Sequence, residues 1–461
     1  MIVTPELPLS VKNIADAVAG VYGGDDRPIF RIVTDSREAA AGDLFFALPG
    51  DGDGGEAYVA EAQKNGAIAV SKYRRDGVLL VRDVAEALLL LASEYRRRLP
   101  ALKCVIGVTG SVGKTTTKEF IAAILSEKYR THATAGNYNN GLGVPLTVLS
   151  APAKTEVLIV EMGMNHKGEI APLSACVHPN LAVITNIGTA HIGNLGSREM
   201  IAEAKKEILT GMNGGKVVVP AEEPLLADVP HRMTVSLRDP TADFFLMPKT
   251  MCADKSTADF FCGERKIGNL SVFAPGMPVL SALAFSVSVA TLLGLSDTEI
   301  RRGISSIKSD RIRQSVYKIG KLTVFDDAYN ASPESVSAAI RTLSLFREKE
   351  KSALIGDMLE LGCRTEECHE AVGRLLADEG FSKLYLFGVY AQFVAAGARR
   401  SGKSTCVVYE NTDPLSPVET ARRILSHSGD GEILLVKGSR GAHLERILEI
   451  MKNITEGKTN A

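Results

Sequence analysis

The stretch Gly107-Val-Thr-Gly110-Ser-Val-Gly113-Lys114-Thr115 constrains this chain more than any other. It follows Cys104-Val-Ile-Gly-Val-Thr109, an apolar run that reads as a buried strand, and it precedes a helical pattern. Strand, glycine turn and helix in that order form the setting of a G-x-x-x-x-G-K-[ST] phosphate loop. Glycines let the backbone curl so that its N–H groups face phosphate oxygens, and the helix N-terminus adds positive potential there. In such a loop Lys114 reaches the β- and γ-phosphates, and Thr115 offers a hydroxyl to Mg²⁺. The loop implies nucleotide binding and leaves the reaction open.

A phosphate loop of this kind belongs to an open α/β sheet, and the rest of the chain reads accordingly. At roughly 150 residues per domain, 461 residues suggest three domains. Residues 1–102 form the first block, with strands expected at Arg31–Thr34, Leu44–Leu48 and Ala67–Val70 and helices at Tyr58–Asn65 and Val84–Arg98. Leu99-Pro100 ends the last helix, since proline disfavours helix at the residue before it. Residues 103–309 form the second block. Its further strands are expected at Val157–Glu161, Leu181–Thr185 and Lys216–Pro220, with helices between them, which implies a parallel, doubly wound sheet. From Phe244 to Phe273 short alternating strands, with turns at Cys262-Gly263 and Ile267-Gly268, suggest an antiparallel appendage, closed by a helix over Leu280–Leu293. Residues 310–461 form a second, Rossmann-like α/β unit. Its strands fall at Leu322–Asp326, Ser352–Ile355, Lys383–Phe387, Cys406–Tyr409 and Ile433–Lys437, and Thr455–Ala461 is expected to fray.

A net charge of −1 excludes the basic excess of a nucleic-acid binder. The one basic cluster, Arg96-Arg97-Arg98, suits the end of a helix. No apolar run approaches the roughly 20 residues of a membrane span, and Met1–Ser10 lacks the basic region of a signal peptide. Seven scattered cysteines without a CxxC indicate a reducing, cytoplasmic setting. Cys363, Cys368 and His369 lack a third thiolate at zinc-site spacing.

Glu161 closes the apolar strand Val157-Leu-Ile-Val. Ligands of open α/β sheets sit at the carboxyl ends of strands, so this carboxylate is placed to hold Mg²⁺ beside the phosphate loop.

The form Thr109-Gly-Ser-Val-Gly-Lys-Thr-Thr116 resembles the phosphate loop of the Mur ligases. Gly136-Asn-Tyr-Asn-Asn-Gly-Leu-Gly-Val-Pro145 resembles the segment that marks their MurF branch. In order follow Glu161-Met-Gly163, Gly168-Glu-Ile170, Thr185-Asn-Ile-Gly188 with His191, and Ala204-Lys205-Lys-Glu-Ile208. The third block adds Asp326-Asp-Ala-Tyr-Asn-Ala-Ser-Pro333, Gly356-Asp-Met-Leu-Glu-Leu-Gly362 and Lys437-Gly-Ser-Arg440. The first adds Thr34-Asp-Ser-Arg37 and Gly42-Asp-Leu-Phe-Phe-Ala-Leu48. The resemblance spans nearly the whole chain.

It implies an ATP-dependent ligase that adds D-alanyl-D-alanine to UDP-N-acetylmuramoyl-tripeptide through an acyl phosphate. Thr109, Gly110, Ser111, Val112, Gly113, Lys114, Thr115 and Thr116 would hold ATP, with Arg311, Asp327 and Asn330 reaching it from the C-terminal domain. Glu161 and Thr115 would bind one Mg²⁺ and His191 a second, and Lys205 matches a lysine that the family carbamylates. Carbamylation turns an ammonium into a carboxylate-like anion, which suits a metal-facing position. Lys114, Lys205, His191 and Arg311 would be the catalytic set. Asn137, Asn139 and Asn140 would touch the acceptor, Thr34, Ser36 and Arg37 the uridine diphosphate end, and Asp357, Lys437 and Ser439 the incoming dipeptide. A monomer handling small molecules, with no nucleic-acid partner, is expected. Taken singly, His191 reads as a loop histidine, Lys205 as a solvated helix lysine, and Asp327 with Asn330 as turn residues before Pro333; only their ordered co-occurrence reverses this.

Two stretches depart from the family pattern. Gly54-Gly-Glu-Ala57 stands where an Asp-Gly-His-type segment is usual, and Gly276-Met-Pro-Val-Leu-Ser281 where asparagines are usual. A Mur-like ligase acting on another carboxylate (another muramoyl-peptide step, a folate polyglutamate or a tetrapyrrole) is one alternative. A nucleotide-binding regulatory subunit without ligase activity is another.

Overall fold

A computed structural model describes residues 2–50, 53–307, 315–346, 350–402, 406–411 and 416–458. The architecture is α/β, built on three main sheets arranged in chain order. The first has five strands, and four of them, Arg31–Val33, Asp43–Phe46, Ile68–Ser71 and Val78–Leu80, run parallel. Its helix Val84–Arg98 turns Leu88, Leu91, Ala92 and Tyr95 inward. Tyr95 is fully buried, and its hydroxyl donates to the Ala151 carbonyl at 2.9 Å, fastening this layer to the central block. Of the basic cluster at the helix end, Arg97 pairs with Glu94 and Arg98 donates to the Pro8 carbonyl.

The central sheet has nine strands. From one edge they are Arg265–Val272, Ser256–Cys262, Phe244–Met251, Arg232–Ser236, Lys216–Pro220, Leu181–Ile184, Cys104–Thr109, Val157–Glu161 and Thr131–Ala133. The six from Arg232–Ser236 to Thr131–Ala133 are parallel, and the four expected from sequence, Lys216–Pro220, Leu181–Ile184, Cys104–Thr109 and Val157–Glu161, are the apolar runs among them. The antiparallel appendage is present as three strands from Phe244 to Val272, and Phe244–Met251 pairs parallel with Arg232–Ser236, so its hairpins extend the main sheet. Ile267-Gly268 is not a turn. Gly268 and Asn269 form a bulge opposite Asp259, whose carboxylate accepts the Asn269 N–H at 2.7 Å and pairs with Lys249 and Lys266. The following helix begins at Met277, three residues before the expected start, because a helix tolerates proline in its first turn.

The third sheet orders Ser315–Ile319, Leu322–Asp326, Ile433–Lys437, Lys351–Gly356, Lys383–Phe387 and Val407–Asn411, all parallel after the first hairpin pair. The carboxyl ends of Leu322–Asp326 and Ile433–Lys437 contribute residues to one cavity with the phosphate loop. The boundary expected at residues 309 and 310, and Arg311 itself, lie outside the described residues.

Candidate active site

The phosphate loop is built as its sequence requires. Gly110 and Gly113 have φ of 148° and 83°, and a side chain at Gly110 would meet the Thr185 hydroxyl at 1.9 Å. The helix Lys114–Leu125 starts directly after Gly113. Asn186 supports the loop from below, its side-chain oxygen accepting the N–H groups of Ser111 and Val112 at 3.0 and 2.9 Å. The Gly188 N–H donates to the Ser111 hydroxyl at 2.9 Å. Thr109 is buried and donates to the Met162 carbonyl. The Lys114 ammonium curls back onto the Gly110 carbonyl at 2.8 Å.

One carboxylate joins this loop to the asparagine segment. Glu161 is fully buried; it accepts the Thr115 hydroxyl at 2.8 Å on one oxygen and the Asn139 amide at 2.7 Å on the other. Asn140 accepts the N–H groups of Leu142 and Gly143 and so opens the helix Gly143–Leu149, while Asn137 is exposed. Among the described residues no cluster of three or more His, Cys, Asp or Glu side chains could hold a metal. Mg²⁺ needs fewer protein ligands than that, because it is commonly held by one or two carboxylates together with substrate phosphates. The hydroxyl of Thr115 beside the carboxylate of Glu161 is a hard-oxygen pair that fits it.

His191 sits at φ 64°, next to the helix Ile192–Leu195, and its Nδ1 contacts a carboxylate oxygen of Glu360. Burial lowers the pKa of His191 and outweighs the pull of Glu360; Lys114 and Lys205 push the same way as burial. Lys205 is 2% exposed, and no carboxylate partner of it is found among the described residues. Burial, reinforced by the charge of Lys114, holds its pKa well below the usual lysine value. A neutral amine is the form that can take up CO₂, so the donor chemistry fits a carbamylated lysine.

A cavity of about 160 Å³ gathers the residues from Ser111 to Thr116 with His191, Asp327, Asn330 and Lys437. A cleft of about 710 Å³ adjoins it through Pro278 and Ala338; Met277, Phe285 and the helix Pro333–Leu343 wall it. A third cavity, of about 240 Å³, shares Ala190, His191 and the run from Tyr329 to Ser332 with the first. Ser439 lines it, but Asp357 does not. Thr34, Ser36 and Arg37, expected at the uridine end, line none of these three cavities. Ser36 is buried and donates to Glu61 at 2.5 Å, Arg37 forks onto Asp35, and Thr34 follows the strand Arg31–Val33. Glu56, in the first departure from the family pattern, is buried and accepts from Ser71, Lys72 and Arg75.

The model of the Mur ligase middle domain matches residues 108–246, and that of the Mur ligase glutamate ligase domain matches 312–440. A UDP-N-acetylmuramoyl-tripeptide–D-alanyl-D-alanine ligase of Bacillus subtilis is 35% identical, covering 97% of this chain and 98% of its own length. This chain belongs to the Mur ligase family. The ligase of the same name from Escherichia coli is 29% identical over 97% of this chain and 99% of its own. Among solved structures, MurF from Acinetobacter baumannii superposes with a TM-score of 0.87 at 30% identity, covering 97% of this chain and all of that one. MurF from Thermotoga maritima, solved in complex with ADP, gives 0.80 at 29% identity over 93% and 98% of the two chains.

Three groups of this Mur ligase escaped the sequence reading of the site: Asn186, Glu360 and Arg440. Each sits inside a stretch that carried the family resemblance, but their placement depends on elements far apart in the chain. His369, by contrast, is occupied structurally: one ring nitrogen meets the Met358 N–H at 3.0 Å and the other the Thr365 carbonyl at 2.6 Å.

Proposed function

We propose that this chain is an ATP-dependent ligase that joins D-alanyl-D-alanine to UDP-N-acetylmuramoyl-tripeptide, forming an amide bond with release of ADP and phosphate. The observation that carries this reading is the shared carboxylate of Glu161, which ties the phosphate loop through Thr115 to the asparagine segment through Asn139. ATP and an acceptor acid held at those two segments would meet over Glu161. The full-length similarity to ligases of that name supports the choice of substrates. It also weighs against both alternatives, another carboxylate substrate or a regulatory subunit.

A carboxylate is a poor electrophile, and phosphorylation by ATP makes it an acyl phosphate that an amine can attack. Bringing two anions together is the obstacle, and Lys114 at the head of its helix supplies positive charge to the γ-phosphate as charge develops. Thr115 and Glu161 would hold one Mg²⁺, and His191 with a carbamylated Lys205 a second. When bound, these ions neutralise phosphate charge. Asp327 and Asn330 would meet the nucleoside, and Arg311 would reach the phosphates from the same side. Closure of the C-terminal unit over the cavity would keep water from the acyl phosphate. In this reading residues 1–102 seat the uridine diphosphate, 103–309 hold ATP, and 310–461 receive the dipeptide. Among the described residues no helix is long and apolar enough to cross a membrane; a monomer working in the cytoplasm completes the proposal.

Phosphate release, measured with ATP, Mg²⁺, the tripeptide nucleotide and the dipeptide and with each omitted in turn, tests it. Release that needs every component is expected. Release indifferent to the dipeptide would sink the reading.

A further inference from the structure

The C-terminal residues that sequence pointed toward the dipeptide are occupied in building walls. The Asp357 carboxylate accepts the N–H groups of Val389 and Tyr390 at 3.1 and 3.0 Å. Lys437 is buried and holds Asp327 at 3.0 Å and the Asn330 carbonyl at 2.6 Å. The Ser439 hydroxyl accepts from Leu359 N–H at 2.9 Å and donates to the Ala331 carbonyl at 3.3 Å. Each fixes a loop, and none is left as a free charge.

The next residue along is different. Arg440 is exposed, lines the 240 Å³ cavity, and has no carboxylate partner among the described residues. Its guanidinium carbon lies 5.3 Å from the centre of the Tyr329 ring, a cation–π contact. Leu359, Leu361 and Glu360, whose carboxylate also meets His191, line the same cavity. It meets the phosphate-loop cavity along Ala190, His191 and Tyr329 to Ser332, whereas Arg440 lines only the smaller one. A cation and an anion flanking an apolar stretch complement a small zwitterion with apolar side chains. An unsubstituted dipeptide is such a molecule, with an amine at one end and a carboxylate at the other.

We propose that Arg440 binds the C-terminal carboxylate of the incoming dipeptide and so makes a free carboxylate a requirement for the amine substrate. The inference rests on the ligase reading above and adds to it a residue that determines specificity. The fork of guanidinium donors suits a carboxylate in a two-point contact. A dipeptide held there lies along the wall that the two cavities share, from Tyr329 to His191, beside the place where the acyl phosphate forms.

The test compares D-alanyl-D-alanine with its C-terminal carboxamide, on the wild type and on Arg440→Met and Arg440→Lys. The wild type should favour the acid at least ~10-fold in kcat/KM, in keeping with the loss of a charge-assisted contact. Arg440→Met should raise the dipeptide KM by a similar factor and reduce the acid-to-amide preference to near one. Its KM for ATP and for the tripeptide nucleotide should be unchanged, which also shows that the fold is intact. Arg440→Lys should fall between. A wild type that treats acid and amide alike, a methionine variant that keeps the preference, or a rise in the ATP or nucleotide KM instead would overturn the inference and leave the ligase reading standing. A wild type that turns over neither dipeptide would overturn both.

Discussion

Nδ1 of His191 and a carboxylate oxygen of Glu360 are in contact across the seam between the central and C-terminal sheets. Both residues have φ of 64°, in the left-handed region that non-glycine residues rarely adopt. The backbone is fastened at the same place: the Gly193 N–H donates to the Glu360 carbonyl at 2.8 Å, and a side chain on Gly193 would meet that carbonyl at 2.7 Å. A donating Nδ1–H leaves Nε2 with its lone pair, the arrangement by which a carboxylate orients a metal-binding imidazole. Glu360→Ala is therefore expected to lower turnover by about 10–100-fold and to raise the Mg²⁺ concentration for half-maximal rate, with ATP affinity little changed. A Mg²⁺ titration of initial rates checks this, and an unchanged half-maximal Mg²⁺ concentration would refute it.

Lys205 gives a pH-dependent expectation. Its folded-state pKa lies well below the usual value of 10.5, chiefly through burial. Between the two values the unfolded chain binds more protons than the folded one, so the folded state is increasingly disfavoured as pH falls from the usual lysine value. In CO₂-free buffer Lys205→Met should melt at a higher temperature than the wild type, and the gap should be wider at pH 7 than at pH 9. Equal gaps at the two pH values would contradict the burial of an unpaired amine. The same variant should lose activity, since it has no amine to carbamylate.

Glu161 anchors both the phosphate loop and the asparagine segment. Glu161→Gln keeps the shape but loses the charge, so the fold should survive while the Mg²⁺-dependent rate falls by ~100-fold or more, a loss of about 3 kcal/mol of transition-state stabilisation. Circular dichroism and initial rates would separate the two effects; a rate within a few-fold of wild type would remove Glu161 from the site.

The cysteines divide by exposure. Cys252 and Cys363 are exposed, whereas Cys104 and Cys176 are buried and their thiols are pushed up to about 11 and about 12 by desolvation. A thiol reagent at neutral pH should label the first pair rapidly and the second only after denaturation. Rapid labelling of Cys104 would contradict the packing of the central sheet.

The strands beside the site were legible from sequence because they are apolar runs buried on both faces. Cys104–Thr109, Val157–Glu161, Leu322–Asp326 and Ile433–Lys437 fall where their residues placed them. The strands that escaped, such as Thr131–Ala133 and Ser315–Ile319 at sheet edges and the partly buried Arg232–Ser236 inside its sheet, owe their form to a neighbour more than to their own pattern. Gly268 read as a turn because a bulge also calls on glycine. In the site, the phosphate loop and Glu161 announce themselves locally. The pairings of His191 with Glu360 and of Lys437 with Asp327 arise between segments more than 100 residues apart. No local pattern encodes them.

Ligation would show first in the mass of the nucleotide product. Purified protein would be incubated with ATP, Mg²⁺, UDP-N-acetylmuramoyl-tripeptide and D-alanyl-D-alanine, and the uridine-containing product weighed by mass spectrometry. Ligation yields a nucleotide heavier than the tripeptide substrate by one dipeptide less one water, formed in equal amount with ADP. An unchanged nucleotide mass, with ATP still consumed, would contradict it.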